Sequence, residues 1–282
     1  MSIQIIGVIG AGQMGQGIAQ VMACAGYQVQ LVDSSASALD KAVVSIRHSI
    51  DKLTSKGVLD AGNDYLASIQ CSTELTSLAS ADLVIEAATE SEKIKIAIFQ
   101  ELATVCQDST LFASNTSSLS ITRLAASIPN PERMIGMHFM NPVPLMELVE
   151  IIDGLQTAVT TRDAIMEVAK NAGKIAIAVK DRAGFVLNRI LLPMINEGIF
   201  VFEEGCASAE QIDQIMVLGA GHPIGPLALA DLIGLDTCLS IMDVLHTQFG
   251  DSKYRAAPLL RQMVDAGQLG KKVGQGFYQY GN

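Results

Sequence analysis

The chain has 282 residues, 49% of them hydrophobic and 17% charged, which suits two domains with a sizeable core and excludes a disordered chain. Nineteen lysines and arginines against 29 aspartates and glutamates give a formal charge of -10. That balance argues against nucleic acid or an anionic membrane as partner, yet a small phosphorylated ligand needs only a few placed amides and cations. The five cysteines are odd in number, widely spaced and without a CxxC pair, so they read as small buried hydrophobes in a reducing, cytoplasmic setting. Residues 1–15 are apolar but lack the positive start of a signal peptide. Residues 185–202 are interrupted by Asn188, Arg189, Asn196 and Glu197, so no membrane span is expected.

Taken in chain order, β-branched runs at 4–9, 28–33, 68–71, 83–87, 110–113, 134–138, 147–152 and 175–179 predict eight strands. Apolar residues at helical spacing predict helices over 13–25, 37–56 and 91–106, between the early strands. This alternation predicts an α/β domain with a mostly parallel sheet covered on both faces. From about residue 181 the pattern turns helical. Residues 183–204 read as one long, mostly buried helix, and Ser208 with Gln211 forms a capping-box pattern opening the next. Gly219 and Gly221 mark that helix's end, Pro226 starts a helical stretch reaching 249, and a short helix covers 259–266. The expected division is 1–183 and 184–282.

Gly10, Gly12 and Gly15 form a GxGxxG loop directly after the first strand and at the start of a helix, with Gln13 and Met14 inside it. Such a loop turns tightly, lets the backbone approach a pyrophosphate and presents helix-start amides to it, which marks a Rossmann-type dinucleotide-binding domain. Asp33 ends the second strand run, where a carboxylate reads the ribose 2′-hydroxyl and repels a 2′-phosphate; NAD is therefore favoured over NADP. As a plain structural residue, Asp33 would instead cap the following helix.

His138 closes one strand run and Glu150 lies within the apolar run MELVEII, with NPVP between them. A carboxylate there needs a partner, and a turn joining the two strands would bring the imidazole to it, unless Glu150 merely sits on an edge strand. The polar stretch SNTSS at 114–118 follows another strand, where open α/β sheets bind ligands, and Asn188 stands on an otherwise apolar helix.

These stretches together, with GAGQMGQGIA, SNTSSL, MHFMNPVPLMELVEII, GFVLNR, LGAGHPIGPLALADLIGLD and GKKVGQGFY in order over almost the whole chain, resemble the 3-hydroxyacyl-CoA dehydrogenase family, most nearly its short bacterial 3-hydroxybutyryl-CoA members. The resemblance implies a helical C-terminal domain that binds substrate and forms a homodimer. It implies His138 as catalytic base, Glu150 as its orienting partner, and Ser117 and Asn188 as groups orienting an acyl-CoA substrate of (S) configuration. For NAD it implies the glycine loop, Asp33, Glu90, Lys95, Asn115, Ser117, Asn141 and Lys272; for the CoA moiety, Ser49 and Lys56. Lens crystallins and gulonate-type dehydrogenases share much of the motif set, so a free hydroxy acid or sugar acid as substrate, or an NAD-binding protein without catalysis, are the competing readings.

Overall fold

The computed structural model describes residues 3–281, in two compact units, Met1–Asp181 and Arg182–Asn282. The first is built on one eight-stranded sheet: β1 (Ile5–Ile9), β2 (Gln28–Val32), β3 (Ile69–Ser72), β4 (Leu83–Glu86), β5 (Leu111–Ser114), β6 (Met134–Phe139), β7 (Leu148–Asp153) and β8 (Ile175–Lys180). Their order is β3-β2-β1-β4-β5-β6-β7-β8, with every neighbouring pair parallel except β6 and β7. The order reverses between β1 and β4, the crevice where ligands of open parallel sheets bind.

The interior strands read as unbroken apolar runs because both faces are covered: Ile6, Val8, Leu83, Val84 and Ile85 are all fully buried. The covering helices are α1 (Gln13–Cys24), α2 (Ala36–Ser55), α3 (Glu92–Val105), α4 (Ile121–Ala125) and α5 (Val159–Asn171). On α2 the buried positions are Leu39, Ala42, Ile46 and Ile50, one stripe at helical spacing, and each buried Leu or Ile contributes about 1.5–3 kcal/mol relative to exposure. The helix at α5 has no counterpart among the sequence expectations; its mean hydropathy is low, and only Thr161, Ile165, Val168 and Ala169 are fully buried on it.

The second unit is helical: α6 (Leu187–Glu203), α7 (Ala209–Ala220), α8 (Pro226–Ile233), α9 (Leu235–Phe249) and α10 (Pro258–Asp265). Ser208 and Gln211 close the capping box, Gly221 ends α7 in the left-handed conformation and Pro226 opens α8, all as the sequence predicts. Three expectations need correction. The helix predicted over 183–204 begins only at Leu187, because Gly184 (φ 70°) and Phe185 (φ 48°) lie in the left-handed region. It is also less buried than expected, with Ile190 67% exposed. The stretch from 226 to 249 is two helices, broken where Gly234 takes φ 100°.

Two buried carboxylates lock the C-terminal segment onto these helices. Asp213 accepts the Leu227 and Ala228 N–H groups at the start of α8 and the Tyr278 hydroxyl. Asp231 accepts the Phe277 and Tyr278 N–H groups and the Tyr280 hydroxyl. Such charges are tolerated in a core only with this degree of hydrogen bonding. Burial and the facing Asp231 push the Tyr280 hydroxyl up to about 12, so it stays a donor at any ordinary pH.

All five cysteines are free thiols. Cys238 is buried, and Cys24 and Cys106 partly so; burial pushes Cys24 and Cys106 up to about 11 and Cys238 to about 12. Cys71 and Cys206 are exposed, against the expectation of buried cysteines. Among the described residues no helix is long and apolar enough to cross a membrane.

Candidate active site

The loop after β1 shows why each of its glycines is needed. Gly10 takes φ 99°, and a Cβ there would lie 2.6 Å from the Ala87 carbonyl oxygen. A Cβ on Gly15 would fall onto the Gly10 carbonyl. Gly12 differs: a Cβ there would meet no protein atom within 4 Å, so this glycine faces open space at the start of α1. No side chain caps that helix and no acidic residue occupies its first turn, whereas α2, α4 and α7 carry serine caps. Uncapped amides beside an open glycine fit a pyrophosphate, the group that NAD would place there.

Asp33 follows β2 and is tied to this loop: one carboxylate oxygen accepts the Ala11 N–H at 2.8 Å and the other the Ser35 N–H at 2.9 Å. The cap of α2 is Ser35, not Asp33. Each oxygen keeps a second lone pair, so the carboxylate can still accept ribose hydroxyls.

At the end of β4 lies a network that the sequence did not announce. Glu86, fully buried, accepts the Lys95 ammonium at 2.6 Å, the Ala88 N–H at 2.7 Å and the Ser114 hydroxyl at 2.7 Å. Lys95, 1% exposed, also lies 3.5 Å from Glu90. The other Glu90 oxygen accepts the hydroxyl of Thr116, the N–H and hydroxyl of Ser117, and the N–H and hydroxyl of Ser118. Burial alone would raise Glu90; Lys95 and these donors outweigh it and hold the carboxyl below its ordinary range. Glu90 thereby shapes the loop that presents Ser117. The carboxylate in the run LVIE, with a lysine nine residues on, was the available signal for Glu86.

His138 and Glu150 meet. The antiparallel register of β6 and β7 sets them directly opposite, and His138 Nδ1 lies 2.9 Å from Glu150 Oε2. Both are buried, at 6% and 3% exposure. β7 lies between β6 and β8, so Glu150 is an interior residue and not an edge glutamate. An ionised carboxylate only accepts, so Nδ1 carries the proton in this contact and the ring's tautomer follows. Asn115, after β5, accepts the Phe139 N–H at 2.9 Å and so ties the SNTSS segment to the strand bearing His138. Asn141 precedes Pro142 through a cis peptide bond, three residues beyond His138.

In the helical unit Asn188 is buried, at 8% exposure, in the first turn of α6. Lys272 donates to both oxygens of Asp236 at 2.6 Å. Ser49 is half-buried on α2, and Lys56 is exposed as the residue closing it. Of the three lysines that the resemblance assigns to ligand binding, Lys95 and Lys272 thus already face carboxylates.

Two family models cover the chain: 3-hydroxyacyl-CoA dehydrogenase, NAD binding domain, over residues 5–182, and 3-hydroxyacyl-CoA dehydrogenase, C-terminal domain, over 184–280. The chain is 52% identical to the 3-hydroxybutyryl-CoA dehydrogenase of Bradyrhizobium diazoefficiens over 280 residues, 99% of this chain and 96% of that one. It is 40% identical to the mitochondrial hydroxyacyl-coenzyme A dehydrogenase of Sus scrofa, over 99% of this chain and 91% of that one. The crystal structure of (S)-3-hydroxybutyryl-CoA dehydrogenase from Ralstonia eutropha superposes with a TM-score of 0.97 at 51% identity, covering all of both chains.

Proposed function

The chain belongs to the 3-hydroxyacyl-CoA dehydrogenase family of NAD-dependent oxidoreductases, and on that premise we propose that it interconverts short (S)-3-hydroxyacyl-CoA and 3-oxoacyl-CoA thioesters, 3-hydroxybutyryl-CoA and acetoacetyl-CoA foremost, with His138 and Glu150 as its acid–base pair. The observation that carries the acid–base assignment is the 2.9 Å contact between His138 Nδ1 and Glu150 on interior strands. The short chain length rests on the names of relatives about half identical in sequence.

NAD, when bound, supplies the hydride acceptor at its nicotinamide ring. The chain's own work is the proton. With Nδ1 held by Glu150, Nε2 takes the proton of the C3 hydroxyl in oxidation and returns one to the alkoxide in reduction. Glu150 keeps the tautomer and balances the imidazolium charge. Ser117 and Asn188 donate hydrogen bonds that orient the 3-oxo group and the thioester, which lowers the entropic barrier to reaction. The Gly10–Gly15 amides, Asn115, Asn141, Glu90 and Lys272 serve the cofactor, buried Lys95 does so through the carboxylates of Glu86 and Glu90 that it holds, Asp33 accepts the ribose hydroxyls, and Ser49 and Lys56 serve the CoA moiety.

Under this reading acetoacetyl-CoA with NADH gives the highest kcat/KM in a panel including longer 3-oxoacyl-CoAs, free 3-oxo acids and sugar acids, each measured with NADH and NADPH. A free acid that outruns every thioester would sink the CoA assignment, and equal use of NADPH would sink the role of Asp33.

We also assign residues 184–282 to substrate binding and to a homodimer. Ile215 and Leu218 on α7, Leu232 on α8 and Ile190 on α6 are between 58% and 83% exposed, bulky apolar side chains that a second copy of the chain would cover. Light scattering is expected to give twice the mass of one chain; the mass of a single chain would refute the dimer. The free thiols suit a reducing, cytoplasmic setting.

A further inference from the structure

The loop between His138 and Glu150, residues 140–147, has no regular structure of its own, yet it connects the two groups whose geometry the proposed chemistry requires. Three contacts outside the loop hold it. The Lys174 ammonium donates to the carbonyl oxygens of Val143 at 2.6 Å and of Met146 at 2.8 Å. The neighbouring Ile175 N–H donates to the Glu147 carbonyl at 2.8 Å. The Val143 side chain, 2% exposed, packs onto α1 at Gly17, where a Cβ would come within 2.8 Å of Val143 Cβ. The loop is thus clamped between the lysine on one side and, on the other, the helix whose first turn carries the glycine loop.

We propose that Lys174 is a positioning residue for the dehydrogenase reaction: its ammonium seats the 141–147 loop against α1, and so sets Asn141 and the His138–Glu150 pair relative to the dinucleotide end of that helix. This rests on the reading of His138 and Glu150 as the acid–base pair. Three features single Lys174 out. It is half-buried at the turn that ends α5 and opens β8, where an ammonium loses hydration that the two carbonyls replace. Burial lowers its pKa from the ordinary lysine value, against the opposing pull of the nearby Glu147 carboxylate. Its two acceptors are three residues apart across the tightest part of the loop, where Leu145 and Met146 both donate back to the Pro142 carbonyl, so one cation closes the whole turn. A hydrophobic side chain could fill the same space, but it would leave the two carbonyls without this donor.

A misplacement of the order of 1 Å can cost about 100-fold in rate, so Lys174→Met, which keeps the stem and removes the donor, is expected to lower kcat for acetoacetyl-CoA reduction about 10- to 100-fold. KM for acetoacetyl-CoA is expected to stay within about twofold, and NADH affinity, read by fluorescence titration, to fall less than kcat, because Asn141 is one cofactor group among several and the glycine loop is held by its own backbone. Lys174→Arg, which retains a cation and several donors, is expected to recover most of the lost kcat. Should the methionine variant fold poorly, Lys174→Gln keeps one donor group and is expected to fall between methionine and wild type. Unchanged kcat in Lys174→Met overturns the proposal. So does a loss of kcat that tracks a loss of thermal stability in all three variants, with no recovery by arginine. His138→Gln assayed alongside separates the premise: if that variant keeps full turnover, the acid–base reading fails whatever Lys174 does.

Discussion

Replacing His138 with glutamine is expected to lower kcat for acetoacetyl-CoA reduction by about two to four orders of magnitude, the usual worth of a general acid–base group. At about 1.4 kcal/mol per decade this is roughly 3–5 kcal/mol of barrier, and it should appear in kcat with little change in NADH affinity. Glutamine is close in size to the imidazole and its amide can still donate to Glu150, so the two buried strands keep a satisfied carboxylate at their centre. What glutamine cannot do is take up a proton and give it back. The decisive measurement is a rapid-mixing trace of NADH oxidation, with the melting temperature and NADH titration recorded on the same preparation. Near-normal turnover by a folded His138→Gln protein would remove His138 from the chemistry and with it the proposed role of Glu150.

The second large effect concerns the loop after β1, where two substitutions of the same size are expected to fail differently. Gly15→Ala places a methyl on the Gly10 carbonyl, so the backbone must move before any ligand arrives. Overpacking of this kind costs about 1–3 kcal/mol and is expected to lower the melting temperature as well as NADH affinity. Gly12→Ala meets no protein atom, so the ligand-free protein should melt at its normal temperature. Its methyl nonetheless enters the space in front of the α1 amides, and NADH affinity is expected to fall about 10- to 100-fold, or about 1.4–2.8 kcal/mol. Calorimetry and NADH titration on both variants test this. Normal NADH binding by Gly12→Ala would mean that the pyrophosphate does not lie against that glycine.

The sheet was legible because its interior strands are buried on both faces and therefore appear as apolar runs, each within one or two residues of the observed bounds. Left-handed positions were less legible. Nothing in the type of Phe185 announces φ 48°, and Gly234 lies in a stretch whose apolar periodicity continues on both sides of it. At the site, His138 and Glu150 were readable from an imidazole and a carboxylate near a turn, since an apolar strand holds a carboxylate only with a partner. Glu86 and Lys174 were not. Lys174 acts through backbone carbonyls, which a sequence carries at every position and so cannot mark, and Glu86 through Lys95 and Ser114, which only the folded chain brings to it. Lys95 and Lys272, which the resemblance assigns to the cofactor, carry no sign in the sequence of Glu86 and Asp236, the carboxylates that the structure places against them.

The single antiparallel pair in the sheet makes the site a matter of counting. Because side chains on adjacent strands alternate between faces, the meeting of His138 and Glu150 depends on the number of residues in the loop between them as well as on their identities. Gaining or losing one residue there, with the strands sliding to compensate, would send the glutamate to the opposite face and bring an isoleucine or valine to the histidine. Substitutions within residues 141–147 can tune the loop by degrees, whereas an odd change in its length that the strands take up parts the pair outright. Anyone reshaping this loop to admit a different substrate would have to hold the strand register fixed, absorbing any added residue within the loop or in a bulge that restores the pairing.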